Sequence, residues 1–366
     1  MKIGCLTSSR ADYGIYLPLL KKLEEDSFFN LEVIAFGTHL SPFHGYTLRE
    51  IEKDGYTTIH KISSLLASDD EQSITTSYGL TVLKFASFWD QHQYDIVLCL
   101  GDRFEMSAAV QAGIPFGVTF GHLHGGETTL GAIDNIYRHQ ITLASKYHFT
   151  AADLFTEKVK QITGEDGNAY TVGSLSLDGI TDMQFTDEKL FRETYAIHKD
   201  FALLTFHPET VATDMNVKYA DEMYAAMAQL CQVTYLVFTM PNADTQGTVY
   251  RDALLKLKNQ FPDNVLLIEN FGKINYFSAM KYCKLLIGNT SSGIIEAASF
   301  GKYVINVGNR QLGRAQSDNT IDCAFNAEDI VAKSKLALQR DAYTGDNIYY
   351  KQDAAQNLIS ILKQLS

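Results

Sequence analysis

Apolar and polar positions along this chain alternate with two periods. Short apolar runs bounded by turn residues read as buried strands, and stretches with apolar residues every three to four positions read as helices. In the first half, strands are predicted at Lys2–Leu6, Leu31–Phe36, Asp95–Leu100, Phe116–Thr119, Tyr147–Thr150 and Ala169–Val172. Helices are predicted near Ile15–Glu25, Tyr78–His92, Phe104–Ala112, Asn135–Ala144 and Leu154–Ile162. This βαβ rhythm implies an α/β fold with an open parallel sheet covered by helices on both faces. The second half restarts it, with strands at Phe201–Phe206, Thr234–Phe238, Val265–Ile268, Leu285–Ile287 and Val304–Val307. Its helices fall near Val217–Leu230, Thr248–Gln260 and Ile294–Phe300.

A polar stretch from Ser174 to about Asp200, with Asp178, Asp182, Asp187 and Glu188, reads as a linker plus an entry helix. It divides the chain into domains at 1–178 and 179–347. The last segment, Tyr349 to Leu365, has the spacing of an amphipathic helix and must cover apolar surface. Open parallel sheets bind ligands outside the carboxyl ends of their strands, so the expected site is a cleft faced by two doubly wound domains.

Chemistry is most legible from Cys283 to Arg314. A strand ends at Gly288, and Asn289, Thr290, Ser291, Ser292 and Gly293 form a small polar turn before a helix. Small residues admit close approach, hydroxyls cap the helix, and its first N–H groups suit a phosphate. Glu296, one turn on, is placed to accept from ribose hydroxyls. The next strand ends at Gly308 with Arg310 and Arg314 just beyond, where guanidinium groups can close on the same anion. A well-capped ordinary helix would explain the Ser-Ser-Gly turn alone. Glu296 and the GNRQLGR strand end together point to a nucleotide diphosphate. Neither GxGxxG in a strand–turn–helix setting nor GxxxxGK[ST] occurs, so a dinucleotide fingerprint and an ATPase loop are both excluded.

Four further groups follow predicted strand ends. They are SSRADYG with Arg10 and Asp12; GDRFE with Asp102, Arg103 and Glu105; GHLHGGETTLGAIDNIYRH with His122, His124, Glu127, Asp134, Arg138 and His139; and TFHPET with His207 and Glu209. Each has an ordinary explanation, such as a surface pair, a helix cap, a satisfied loop histidine or an i,i+4 pair. Their repetition at strand ends favours function. His122, His124, Glu127 and Asp102 also form a donor set for zinc or manganese. Gly121, Gly125 and Gly126 crowd that pair in a loop too flexible for a cage, so no metal is expected there.

Composition narrows the partners. With 366 residues, 46% hydrophobic and 20% charged, the chain has ample core for two domains. A net charge of −12 excludes nucleic acid, whose binding depends on neutralising phosphates. Cys5, Cys99, Cys231, Cys283 and Cys323 are odd in number, widely spaced and near apolar runs, as for free thiols in a reducing compartment. No signal peptide and no run of membrane-spanning length is read, so a cytoplasmic protein without a membrane partner is expected.

RADY, GDRFE, HLHGGE followed by Gly-x-x-Asp and Arg-His, HPET, PNAD at 241–244, GNTSSG and NVGNRQLGR occur in this order over about residues 1–320. By these tracts the chain resembles the hydrolysing UDP-N-acetylglucosamine 2-epimerases, in the branch that feeds bacterial nonulosonates such as sialic and legionaminic acids. The resemblance implies two Rossmann-like domains in the glycosyltransferase-B architecture, with the C-terminal helix at 348–366 packing back on the first. It implies a homodimer or homotetramer, a UDP-sugar substrate, no cofactor and no metal. UDP would be held mainly by the second domain, with Arg10, His207, Asn242, Phe271, Thr290, Ser291, Ser292, Glu296 and Arg310 at matching positions and Arg103 reaching in. Asp102, Asp134, Arg138 and His139 match the catalytic group. Gly14 replaces a serine of the family, and His124 stands where several relatives have glutamate, so either His124 or Glu127 takes that acid/base role.

The implied reaction loses UDP from the anomeric carbon while a base removes the carbon 2 proton. The resulting glycal then adds water to give an N-acetylmannosamine-type sugar. UDP-N-acetylglucosamine and UDP-N,N'-diacetylbacillosamine are both candidate substrates. A glycosyltransferase or a non-catalytic UDP-sugar sensor could share the nucleotide site.

Overall fold

The computed structural model describes all residues except 43–44, 69, 131–132, 210–212, 241–246 and 366. Asn242, with the rest of the PNAD tract, therefore lies outside the described residues. The chain forms two compact units. The first comprises Met1–Glu127, Ile133–Ile180 and Tyr349–Ser366; the second comprises Thr128–Ala132 and Thr181–Ile348.

In the first unit β1 (Lys2–Thr7), α1 (Arg10–Glu25), β2 (Asn30–Phe36), α2 (Leu48–Asp54), β3 (Ile59–Ile62), α3 (Glu71–Gln91) and β4 (Ile96–Leu100) succeed one another. They are followed by α4 (Phe104–Gly113), β5 (Phe120–Leu123), α5 (Asp134–Ala144), β6 (Tyr147–Thr150), α6 (Asp153–Thr163) and β7 (Ala169–Thr171). The strands pair in the order β3-β2-β1-β4-β5-β6-β7. Every pairing is parallel.

The second unit holds α7 (Glu188–Thr194), β8 (Phe201–Thr205), α8 (Asn216–Leu230), β9 (Tyr235–Thr239), α9 (Gly247–Gln260) and β10 (Val265–Ile268). It continues with α10 (Gly272–Tyr282), β11 (Leu285–Gly288), α11 (Ser291–Ile295), β12 (Val304–Val307), β13 (Thr320–Cys323) and α12 (Ala327–Leu338). Its sheet is also parallel, in the order β10-β9-β8-β11-β12-β13. Central strands such as β4 (IVLCL), β8 (FALLT) and β12 (VINV) are buried at every position, as strands covered on both faces must be.

The differences from the sequence expectation have local causes. No strand forms at Phe116–Thr119. Ile114–Phe116 makes a 3-10 turn closed by Gly117 at φ 67°, and the strand starts at Phe120. α3 begins at Glu71 rather than Tyr78, because Asp70 caps it by accepting from the Ser73 amide at 2.8 Å, and its Ser/Thr-rich first turns carry no apolar stripe. The strands β3 (IHKI) and β13 (TIDC) are too short and polar to stand out, and both are sheet edges. The hydrophobic pattern likewise gives no signal for α2, α10 and α12. The helix expected at Ile294–Phe300 is instead α11, followed by a 3-10 turn at Ala297–Phe300.

The last helix, α13 (Ala354–Gln364), belongs to the first unit. Its buried Ala354, Ala355, Leu358, Ile359 and Leu362 share a core cluster with Tyr13, Tyr16, Leu19, Leu20 and Leu23 of α1. Asp178 accepts from the Ala355 amide at 3.0 Å, so a residue of the predicted linker helps anchor this helix. No described helix is long and apolar enough to cross a membrane. Leu358→Ala should destabilise the first unit by about 2–4 kcal/mol. Urea unfolding followed by Trp89, which is buried in this unit, measures it; a loss below about 1 kcal/mol would mean that α13 adds little to the core.

Candidate active-site residues

In the first unit the strand order reverses between β1 and β4. Loops leaving the carboxyl ends of such neighbours run apart and leave a crevice. The groups after β1, β4 and β5 all sit at this end of adjacent strands. Asp12 is buried and satisfied locally, accepting from the Ser8 amide and hydroxyl at 3.0 and 2.6 Å and from the Ser9 hydroxyl at 2.8 Å. Ser9 caps α1 in return, so Asp12 fixes a turn, and Arg10 beside it is exposed.

After β4 the chain turns at Gly101 (φ 80°) into Asp102 and Arg103. His122 holds this turn: its Nε2 lies 2.9 Å from the Gly101 carbonyl and its Nδ1 3.1 Å from the Thr142 hydroxyl. Burial pushes this imidazole down to about 3, so the ring is neutral and both nitrogens are committed to protein. Arg103 pairs with Glu105 at 2.8 Å.

After β5, His124 adopts a left-handed backbone conformation (φ 62°), which a side chain rarely tolerates without reason. Arg138, buried on α5, grips it by donating Nη1 to the His124 carbonyl at 2.6 Å, while its Nη2 pairs with Asp102. Gly126 (φ 79°) permits the close turn, because a Cβ there would lie 2.3 Å from the Phe155 carbonyl oxygen. The His124 Nδ1 meets Glu127 Oε1 at 2.7 Å, whereas its Nε2 is buried with no hydrogen-bond partner among the described residues.

Asp134 opens α5 within the field of Asp102, Arg103 and Arg138. Burial and then the Asp102 charge raise its pKa, and the two arginines offset this only in part. His139 lies 3.3 Å from Asn135 and is held below its ordinary value by burial and then by the Lys158 and Arg138 charges. The structure thus links Asp102, Arg138, His124 and Glu127 in one chain of contacts with Asp134 alongside, and His139 stands one step outside it.

In the second unit the order reverses between β8 and β11, and the groups after β8, β11 and β12 are again neighbours. Gly288 (φ 147°) lets β11 run against β8, where a Cβ would sit 1.9 Å from the Thr205 carbonyl oxygen. Thr290 caps α11 by accepting from the Ser292 amide at 3.4 Å. Thr290, Ser291 and Ser292 are half-buried, and Glu296 is buried at the end of this short helix. With only one turn of α-helix, the cradle relies on its hydroxyls and local amides more than on a macrodipole.

Asn289, fully buried, joins the three loops. Its side chain exchanges two hydrogen bonds with the His207 backbone at 2.7 and 2.8 Å. Its carbonyl accepts from Arg310 at 3.2 Å and from Gln311 at 2.9 Å. Burial and then the Arg310 charge push His207 down to about 4, so its imidazole is neutral. Glu209 receives the Asn309 and Arg310 backbone amides and steadies that loop. Tyr276 reaches the Ser292 and Thr205 side chains from α10, and its phenol is pushed up to about 12, chiefly by burial.

Asn289 and Gln311 lay within quoted motifs, yet nothing in the sequence marks them as a bridge. Tyr276 gave no signal because α10 itself was not predicted. The Phe271 ring packs in the core, 4.7 Å from Tyr195 and 5.8 Å from Phe191. A cavity of about 560 Å³ is lined by Asn306, Asn309, Arg314 and Asp322 and not by the Thr290–Ser292 cradle.

Two doubly wound parallel domains, each with polar groups at its switch point, are the architecture that known nucleotide-sugar epimerases also have. The fold matches a UDP-GlcNAc 2-epimerase from Neisseria meningitidis, solved with UDP-GlcNAc bound, at a TM-score of 0.82 over 100% of both chains and 14% identity. Among relatives, a GDP/UDP-N,N'-diacetylbacillosamine 2-epimerase (hydrolyzing) from Campylobacter jejuni is 33% identical over 89% of this chain and 85% of its own. A UDP-N,N'-diacetylbacillosamine 2-epimerase (hydrolyzing) from Legionella pneumophila is 31% identical over 100% of this chain and 96% of its own. The UDP-N-acetylglucosamine 2-epimerase family model matches residues 21–363, and the chain belongs to that family.

Asn289→Ala would strip partners from the His207 backbone and should cost the second unit about 2–3 kcal/mol while weakening UDP binding. Calorimetric titration with UDP checks it, and unchanged affinity with unchanged melting would remove Asn289 from the site.

Proposed function

We propose that this chain hydrolyses a UDP-linked 2-acetamido sugar with inversion at carbon 2. The observation that carries this reading is the pair of proton-handling groups in the first unit, Asp134 with its raised pKa and the His124–Glu127 dyad. Epimerisation through a planar glycal takes a proton from one face of carbon 2 and returns one to the other, so two carriers are needed. Asp102, paired with Arg138, stands beside them and is placed to favour the positive charge that develops on the sugar ring.

The atoms balance in two steps. The carbon 2 proton passes to a base, its C–H electrons form the C1=C2 double bond, and the C1–O bond breaks with its electron pair leaving on the UDP β-phosphate. Water then supplies hydroxyl to carbon 1 and its proton restores the second carrier, which gives its own proton to carbon 2, while the base returns the proton it took to solvent. The carbon 2 proton is weakly acidic, so loss of UDP must lead. The second unit serves that need: the Thr290, Ser291 and Ser292 hydroxyls and the Arg310 guanidinium hold the leaving phosphates, Glu296 takes the ribose and His207 adds a neutral donor. Groups of this kind are each worth on the order of a hundredfold in rate. Glu127 fixes Nδ1 of His124, so Nε2 is the atom left to exchange a proton, and His124 rather than Glu127 takes the role that the sequence left open.

Relatives at 33% and 31% identity are named for N,N'-diacetylbacillosamine and one at 29% for polysialic acid biosynthesis, which supports UDP-N-acetylglucosamine and UDP-N,N'-diacetylbacillosamine alike as the substrate. The reading includes a homodimer or homotetramer. It also includes a cytoplasmic setting, which five buried free cysteines support.

Incubation with each UDP-sugar in deuterated water should release UDP and a sugar deuterated at carbon 2 without any acceptor. Release that requires an acceptor would instead show a transferase, and binding without release a sensor. Asp134→Asn should lower kcat by about a thousandfold and leave UDP affinity intact. A carboxyl whose folded pKa is raised loses stability as pH rises through that window, so at neutral pH the same variant should melt higher than the parent. Near-normal turnover, or a lower melting temperature, would overturn the role given to Asp134.

A further inference from the structure

At the amino ends of β1, β2 and β3, opposite the catalytic end of the first sheet, Glu32, His60 and His92 converge. One ligand atom from each lies within 4.8 Å of the others, and all three side chains are buried or half-buried. Glu32 on β2 and His60 on β3 project from the same face, because Ile34, two residues after Glu32, is the register partner of His60. His92 closes the group from the C-terminus of α3.

The arrangement is held from behind. Phe88 stacks on the His92 ring at 4.3 Å and meets His60 edge-on at 5.0 Å, and the two imidazoles are 4.6 Å apart. His60 Nε2 is 2.8 Å from Glu32 Oε2, which also accepts from the Tyr94 hydroxyl at 2.8 Å. Gly4, the register partner of Glu32, leaves the space that Tyr94 fills.

We propose that Glu32, His60 and His92 form a binding site for a divalent transition-metal ion of the zinc type, clamping the edge strand β3 to β2 and to the end of α3. Two imidazoles and one carboxylate, with water completing four-coordination, suit zinc or cobalt. A closed hydrogen-bond network is the competing account, and it explains Glu32 and His60 but not His92. Among the described residues the His92 ring makes ring contacts and no hydrogen bond. Tyr94 and Phe88 supply the outer contacts that orient metal-binding side chains.

Lys2 is the group that opposes the ion. Its ammonium lies 3.0 Å from Glu32 Oε1 and 4.6 Å from the centre of the Tyr94 ring, and it is about one-third exposed. It occupies Oε1, so a metal would bind at Oε2 and take the place of the direct His60 Nε2 contact there. Removing this like charge should therefore tighten binding, which a purely structural network would not do. The five cysteines are buried and do not compete for the ion.

The test uses the full tag-free chain, stripped of metal and titrated with zinc against a chromophoric chelator, with cobalt as the spectroscopic probe. Expected are one equivalent bound, four-coordinate cobalt bands and a rise in melting temperature with zinc. His60→Gln and His92→Gln should each weaken binding by about a hundredfold or more, while metal-free circular dichroism and melting stay near the parent. Lys2→Met should tighten binding by about tenfold. No stoichiometric binding by the parent, or equal binding by the parent and both histidine variants, would overturn the proposal. A Lys2→Met variant that binds no tighter would also count against it. The proposal stands apart from the epimerase reading, because none of these residues belongs to the catalytic groups.

Discussion

A parallel sheet can be continued only by returning the chain from the carboxyl end of one strand to the amino end of the next. Where the strand order reverses, successive connections depart in opposite directions and the ends of two neighbouring strands remain uncovered. In this chain that happens twice, between β1 and β4 and between β8 and β11. The polar groups discussed for chemistry leave those two pairs of strands or the strand next to them. Their neighbourhood follows from the crossover rule before any side chain is considered.

Most of the buried polar residues at these places position the chemistry rather than perform it. Asp12 ties the β1 turn to α1, His122 ties the Gly101 turn to Thr142 of α5 through its two ring nitrogens, and Asn289 bridges the loops after β8, β11 and β12. Burial makes such bridges costly to break, because each lost partner leaves a desolvated donor or acceptor. Their rigidity allows the half-exposed groups beside them, such as Thr290, Ser291 and Ser292, to be presented at fixed positions.

Arg138 shows how one cation can organise several functions. With one nitrogen it holds the left-handed turn at His124, and with another it pairs with Asp102. Burial and then the Asp102 charge raise the neighbouring Asp134. Two carboxyls in one small region thereby have different surroundings, one paired with a cation and the other raised by burial, and the second is suited to carry a proton.

Hydrophobic periodicity set the α/β class, most central strands and the amphipathic C-terminal helix, because burial on two faces forces continuous apolar runs. The short motifs fixed which residue types stand at strand ends. Other features were not legible. The edge strands β3 and β13 are stabilised by pairing rather than by pattern, and α3 starts from a cap whose first turns are polar. The roles of Asn289 and His122 could not be read either, since a buried bridge and a free loop side chain look alike in sequence. Residue identity and spacing are local properties of the chain, whereas burial, hydrogen-bond partners and charge neighbours depend on residues far away in it. For that reason the sequence alone determined the kind of fold and the candidate chemistry, and only the tertiary structure decided which polar groups are spent on holding the loops and which remain to act.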